Sequence, residues 1–458
     1  MRYKTNRHYR NLVKRGLVVT VCIHLTACFF HLSSCLAQEG WNLQQCIDYA
    51  ISHNINVQQR AVEVSQRGII LNSSKNAWLP DLNLRLQHLY GFENPTAASS
   101  GSNLAFSASG SATQTIINTT MPVFDGFKIR NQIQADKFSL VSATADLEAA
   151  KKDISIQVAS YYLQCLYYKG MAEVSRKQVE TSREMVQRAT MLVEEGKRPR
   201  SEQADAEAQL ASDEHTLVDD EGQYVLALLT LAHILNIPDT QDFNIVDDEQ
   251  ALASVSDSTL QIPQSIYDDT VDSWPSIMSA QASIRQSEFQ LKVKKGDYYP
   301  QVNLYGSIGT AAYTVFNNKD IQLGSFWRQL DNNRGEIIGL QIAYPIFNRF
   351  QTRNKVRQAS NEILNKKLAL EDAKLTLRKD IETAYYNANV ARQKQLSSEK
   401  SCEASRISVE YEEIRYAEGR SSIFDLLQAR QKYFKAQQNA VQAKYEYIIR
   451  QRILDFYK

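Results

Sequence analysis

Three acid-bearing features mark where this chain could do chemistry. The first is Ser422-Ile423-Phe424-Asp425, a hydroxyl and an acid three residues apart. At a helix start such a pair satisfies backbone donors reciprocally, and the acid gains typically ~0.3–1 kcal/mol from the helix dipole. The second is residues 239–257, which carry Asp239, Asp242, Asp247, Asp248, Glu249 and Asp257 with no Lys or Arg. Such a run either binds cations or is a solvated connector; solvation is the simpler reading. The third is Asp219-Asp220, most simply surface charge on a helix. Redox and metal chemistry find less support. Cys46, Cys165 and Cys402 are far apart in sequence, and His53, His88, His215 and His233 form no i, i+4 pair. No metal site, disulfide framework or cofactor is expected from that spacing. The sequence contains no G-x-S-x-G, no H-E-x-x-H and no phosphate-binding P-loop, so an enzyme is not expected.

The elements that position these residues must be long. The chain has 458 residues but only 17 Gly and 9 Pro, so few turns are available. Hydrophobic residues make up 43% and charged residues 22%, which excludes wholesale disorder. Residues 1–37 carry Arg2, Lys4, Arg7, Arg10, Lys14 and Arg15 and no acid, then an apolar run from Leu17 to Leu32. This predicts a secretory signal peptide ending at Ala37. Leu25-Thr26-Ala27-Cys28 and Leu32-Ser33-Ser34-Cys35 resemble lipoprotein cleavage boxes, so a lipid anchor stays open beside ordinary cleavage. Loss of the six cations takes the net charge from +1 to −5, which gives no support for nucleic-acid binding. Beyond the leader no run of ~18 apolar residues predicts a membrane helix.

The chain repeats itself. Pro122-Val123-Phe124-Asp125 matches Pro345-Ile346-Phe347-Asn348, Glu195-Gly196 matches Glu418-Gly419, and Tyr162 falls on Tyr385, all at one offset. Leu79-Pro80-Asp81-Leu82-Asn83-Leu84 matches Tyr299-Pro300-Gln301-Val302-Asn303-Leu304 at nearly the same spacing. Each half reads helix, strand, loop, strand, long helix, tight turn, helix. Residues 128–195 hold no Pro and one Gly, and residues 350–418 hold neither, predicting rods of ~100 Å each. In the second rod Val356, Ile363, Leu370, Leu377, Ala384 and Ala391 recur every seventh position, a coiled-coil seam that Lys366 and Asp380 interrupt. Gly196 and Gly419 are expected to end rods in the left-handed conformation. Tyr161, Tyr162, Tyr385 and Tyr386 read as packing residues. Trp78, Trp274 and Trp327 are candidate membrane-interface anchors, Trp327 the best placed.

Four strands are expected, at about 80–90, 105–124, 300–312 and 335–347. Asp81, Asn83, Arg85 and Gln87 alternate with Leu82, Leu84 and Leu86, and Gln301, Asn303, Tyr305 and Ser307 with Val302, Leu304 and Ile308. The pattern suits a membrane barrel wall or a sheet on a soluble core. The export signal favours the first, and four strands are too few to close a barrel alone, so several chains would have to share one. Segments 91–104 and 314–334 would be outward loops.

With the repeat, the proline strand starts, the Pro-Val-Phe-Asp and Pro-Ile-Phe-Asn strand ends and the glycine tips, nearly the whole chain after the leader resembles the TolC family of outer-membrane efflux proteins. The resemblance implies an α+β membrane protein: a shared transmembrane β-barrel with four strands per chain, continued by a long α-helical coiled-coil tunnel. It divides the chain into a first repeat 38–236 with its tip near 196–200, an acidic connector 237–262, and a second repeat 263–458 with its tip near 419–422. It implies a homotrimer in outer-membrane lipid, acting as a passive exit duct of a tripartite efflux pump or type I secretion system. A periplasmic adaptor and an inner-membrane transporter would be its partners. In the family, Tyr-x-x-Gly at one tip precedes acids lining a closed aperture; here Tyr416, Gly419 and Asp425 match. Gln428 stands where a second aspartate is expected, Ser421 where the family has a latch arginine, and Glu202 where the first half has an aspartate. The aperture is thus expected at Asp425, Glu202 and Gln428, and adaptor contact at Gly196, Gly419, Tyr416 and Ser421. The competing reading is a secreted structural or adhesive coiled-coil protein, which predicts no detergent requirement and leaves the alternating strands without a role.

Overall fold

The computed structural model describes residues 40–92, 109–238, 240, 243–246, 261–316 and 324–458. The expected signal peptide, both lipobox cysteines, most of the first outward loop and most of the acidic run lie outside the described residues. The helices are α1 Leu43–His53, α2 Ile55–Asn76, α3 Lys128–Glu194, α4 Arg200–Leu235, α5 Pro263–Thr270, α6 Pro275–Gly296, α7 Phe326–Asn332, α8 Gln351–Ala417 and α9 Ile423–Asp455. The strands are β1 Asn83–Gly91, β2 Gly110–Phe124, β3 Gln301–Val315 and β4 Gly335–Ala343. The chain forms two compact units, and α3 and α8 each contribute to both.

One unit holds all four strands, together with α2, α5, α6, α7, α3 up to Asp153 and α8 up to Tyr386. The sheet is antiparallel in the order β1-β2-β3-β4. Paired residues share a face, so the register sorts the side chains. Leu84, Ile117 and Ile308 form one row, Met121, Leu304 and Leu340 a second, and Phe124, Val302 and Ile342 a third. This apolar face is open: Leu86 is 68% and Ile338 86% exposed. The opposite face carries Asn83, Asn118 and Ser307 in one row, with the Ser307 hydroxyl donating to Asn118 Oδ1 at 2.9 Å.

Two expectations about strand ends are corrected. β4 stops at Ala343, not near 347, because Pro345 has no N–H to continue a ladder. The loop expected over 314–334 is partly structured: β3 runs on to Val315, and α7 folds back onto it. β4 pairs with β3 only as far as Gly309, so the next residues of β3 need other partners. The Gln329 side chain accepts from the Tyr313 N–H at 2.8 Å and donates to its carbonyl at 2.9 Å, and Asn333 Nδ2 donates to the Ala311 carbonyl at 2.7 Å. Side-chain amides thus replace the missing strand. Trp327 sits on α7, 77% exposed, whereas Trp274 stacks on Tyr457 at 5.2 Å under Lys152 and is a packing residue.

The duplication is explicit where strands become helices. Gly126 and Phe127 have φ of 71° and 63°, and Arg349 and Phe350 have 54° and 61°. Two successive left-handed residues turn the chain sharply each time. Non-glycine residues accept this conformation only when their surroundings hold it. Here the rings do so: Phe124 meets Phe127 edge-on at 5.2 Å, and Phe347 meets Phe350 edge-on at 5.6 Å.

The other unit comprises α1, α3 from Ile154, α4, α8 from Asn387, and α9 as far as Ile453. Asn42 caps α1 in a reciprocal box with Gln45. Trp41 forms a parallel bridge with Ile245, and its ring meets Phe243 at 5.9 Å. Within the middle segment, Phe243–Val246 is therefore tied down and is not a free connector. Tyr162 joins these pieces: its hydroxyl, fully buried, lies 3.0 Å from the Trp41 carbonyl and 2.6 Å from that of Val246. Tyr162→Phe should cost about 0.5–1.5 kcal/mol, the net worth of an ordinary hydrogen bond, because the accepting carbonyls are only partly buried. Urea unfolding followed by circular dichroism checks this, and an unchanged midpoint would show that the bonds add nothing. Along α8 the seven-residue seam is half-buried at Val356, Ile363 and Leu370 and fully buried at Leu377, Ala384 and Ala391.

Candidate functional site at the helix-hairpin tips

Both long helices end in the same way. Gly196 has φ of 71° and Gly419 of 73°. At the first tip Gly196 N–H bonds the Val193 carbonyl and Lys197 N–H that of Leu192. At the second, Gly419 N–H bonds the Tyr416 carbonyl and Arg420 N–H that of Arg415. These are paired Schellman stops, which consume carbonyls left over at a helix end and require the left-handed residue. Beneath them Met185, Ala189, Ala206, Tyr416, Ile423 and Leu426 form one buried cluster, so the two hairpins share a core at the tips.

The polar groups sit on that core. The Tyr416 hydroxyl donates to Glu202 Oε2 at 3.0 Å, and Arg198 pairs with Glu202 Oε1 at 3.2 Å. The Arg198 guanidinium also lies 5.0 Å from the centre of the Tyr416 ring. The Glu202 side chain is only 12% exposed. Burial first, then the bond to the Glu202 carboxylate and its charge, push the Tyr416 hydroxyl above the usual tyrosine range. It therefore stays protonated, and a donor, throughout neutral pH.

Asp425 is placed differently. Ser422 caps α9: its hydroxyl accepts from the Asp425 N–H at 3.2 Å and donates to Asp425 Oδ2 at 2.7 Å, while the Ser422 N–H reaches the same oxygen at 3.3 Å. The bonds from the Ser422 hydroxyl and N–H hold this exposed carboxyl below the usual carboxylate range. Gln428 follows one turn later on the exposed side of α9. Ser421 donates to Glu412, which Arg415 also holds at 3.0 Å.

The structure thus brings Glu202 and Tyr416 together, leaves Asp425 and Gln428 open to solvent, and gives Ser421 an acid as its partner. Arg198 was missed from the sequence: it precedes Pro199, the N-cap of α4, so helical spacing does not pair it with Glu202, and the turn at Gly196 brings the two together. The Arg430–Glu413 pair, which spans α8 and α9, was missed as well. Among the described residues, no three His, Cys, Asp or Glu side chains group as a metal site, and no helix is long and apolar enough to cross a membrane.

A family model described as outer membrane efflux protein matches residues 46–236 and 266–457. The chain belongs to the outer membrane efflux protein family. It is 19% identical to the outer membrane efflux protein BepC of Brucella suis over 336 residues, 73% of this chain and 69% of that one. To the outer membrane protein TolC of Escherichia coli it is 22% identical over 177 residues, which are 38% of this chain and 36% of that one. The crystal structure of the Campylobacter jejuni CmeC outer membrane channel superposes with a TM-score of 0.73 at 18% identity, over 91% of this chain and 85% of that one. At that identity the likeness speaks to fold: this TolC-family chain shares the CmeC architecture. Membership also gives the open apolar face of the sheet a setting that a secreted stalk would lack.

Proposed function

We propose that the chain is one protomer of a homotrimeric outer-membrane duct, the passive exit of a tripartite efflux pump or type I secretion system. One observation carries this: a four-stranded sheet with an open apolar face whose outer strands, β1 and β4, have no second partner among the described residues. In lipid, each unpaired backbone group of an edge costs several kcal/mol, so the edges must meet other copies. Three chains would supply roughly twelve strands, within the range of known barrels. The duplicated halves 38–236 and 263–458, joined through 237–262, would continue that barrel as a helical tunnel. An N-terminal signal peptide would deliver the chain. A periplasmic adaptor would dock at the tips around Gly196, Gly419, Tyr416 and Ser421, and an inner-membrane transporter would supply the energy. A duct does no bond chemistry and calls for no cofactor.

At the periplasmic end, three copies of Asp425, with Gln428 beside them, would line the aperture. Glu202, bonded to Tyr416 and Arg198, would hold it shut. Acids there concentrate cations in a narrow mouth. The purified full chain should therefore form cation-selective channels in planar bilayers, and cross-linking in mild detergent should trap trimers. A monomer without conductance would overturn the reading. Asp425→Asn should move the cation-to-anion permeability ratio toward unity. The bonds to Asp425 favour its charged form, so selectivity should hold down to about pH 4, the ordinary carboxylate value, and fail only as pH falls through the depressed one. Loss of selectivity well above pH 4 would assign it to other groups.

A further inference from the structure

We infer that the cleft where β2 and β3 give way to α3 and α6 is a headgroup site for an anionic phospholipid of the periplasmic leaflet. The inference rests on the sheet lying in the outer membrane, as proposed above.

The cleft has a volume of about 490 Å³ and is lined by Phe127, Arg130, Phe289, Lys292, Lys295 and Tyr299, among others. Three cations thus border one cavity. Among the described residues none of the three forms an ion pair with a carboxylate. Like charges so placed repel each other unless an anion joins them. Of the acids that flank the cleft in sequence, Asp297 pairs with Lys128 at 3.1 Å, and Asp125 accepts from the Ile129 N–H at the start of α3 through Oδ2, while its Oδ1 is buried without a hydrogen-bond partner. Lys292 Nζ stands 4.3 Å from the centre of the Phe289 ring, which leaves its remaining protons for a ligand.

Position selects the lipid over a free anion. Phe127 packs edge-on against Phe124 at 5.2 Å and against Tyr299 at 6.1 Å. Phe124 lies in the apolar row with Val302 and Ile342. The aromatic wall of the cleft therefore runs directly into the face that would meet acyl chains. Amphipathic rings and basic side chains together at such a border are the composition that lipid headgroups select. The strands that lead into the cleft, β2 and β3, are the inner pair of the sheet, whereas the edges where another copy would join are β1 and β4.

The test is native mass spectrometry of the detergent-purified full chain. The probes are phosphatidylglycerol, phosphatidylcholine, inorganic phosphate and water-soluble glycerophosphoglycerol. Wild type should retain phosphatidylglycerol in preference to phosphatidylcholine, and neither soluble anion should displace it at equal concentration. Lys292→Gln alone should weaken retention about fivefold, and Arg130→Gln with Lys292→Gln and Lys295→Gln roughly 100-fold, at about 1 kcal/mol for each cation. Lys292→Arg with Lys295→Arg should retain the lipid, which separates charge from folding. Equal retention of phosphatidylglycerol by Lys292→Gln and wild type would overturn the inference, as would equal retention of the two lipids. Displacement by a soluble anion at equal concentration would make this a soluble-anion site and overturn the lipid assignment. The same preparations report on the membrane reading separately. Wild type that leaves the membrane fraction in a high-salt wash would overturn that reading and this inference with it; wild type that stays while lipid retention fails overturns this inference alone.

Discussion

Replacing Ile338 and Leu340 together by lysine should empty the outer membrane of this protein. Both side chains project from the apolar face of β4 and are already largely exposed in the single chain. On a protein surface in water, two lysines there would be harmless. On the lipid side of a barrel wall, each lysine near the bilayer midplane costs about 2–4 kcal/mol. Two together approach the whole stability of an ordinary fold, about 5–15 kcal/mol. Membrane fractionation and trimer yield on mild gels measure the loss. Gln341→Lys is the control, because Gln341 shares its row with Asn303 on the opposite, polar face and should be tolerated. Normal accumulation of the double lysine variant in trimers would place the sheet somewhere other than lipid.

The second large effect is expected at the tips. Tyr416→Phe removes a donor to a nearly buried carboxylate, a bond of a kind worth about 1.5–3 kcal/mol. That is roughly a 10- to 150-fold shift toward the parted tip in each protomer. Single-channel recordings should show a severalfold rise in mean conductance, with ion selectivity kept because Asp425 is untouched. Asp425→Asn should do the reverse, changing selectivity and sparing conductance. Glu202→Gln should fall between wild type and Tyr416→Phe, since an amide oxygen still accepts but carries no charge. The Tyr416 hydroxyl is held above its usual range, so the tie should be fully present at neutral pH and lost only as pH rises beyond the ordinary tyrosine value of about 10. Unchanged conductance in an intact Tyr416→Phe trimer would show that this bond does not hold the tip closed.

Replacing Glu202 and Asp425 together would mix the two effects. From the sequence both were simply acids near glycine turns, equivalent candidates for one ring. Their surroundings separate them. Glu202 rests on a core built from both hairpins, whereas Asp425 is spent on the first turn of its own helix and faces solvent.

What could be read from the sequence was whatever depends on neighbours in the chain. Helix starts, helix stops and periodicity are local, so Ser422 with Asp425, the stops at Gly196 and Gly419, the seam from Val356 to Ala391 and the alternation around Leu84 and Val302 were all legible. The halves announced themselves because duplicated local rules leave duplicated residues, as Phe124 and Phe347 do. The tertiary structure decided what depends on residues distant in sequence. Nothing local says that Gln329 must stand in for a strand beside Tyr313, that Phe127 will accept a left-handed backbone against Phe124, or that Tyr416 will find Glu202 from the other half. Each of these completes a hydrogen bond or a ring contact that exists only once separate elements have packed, and a hydrophobic pattern specifies which face is buried without specifying which atom meets which.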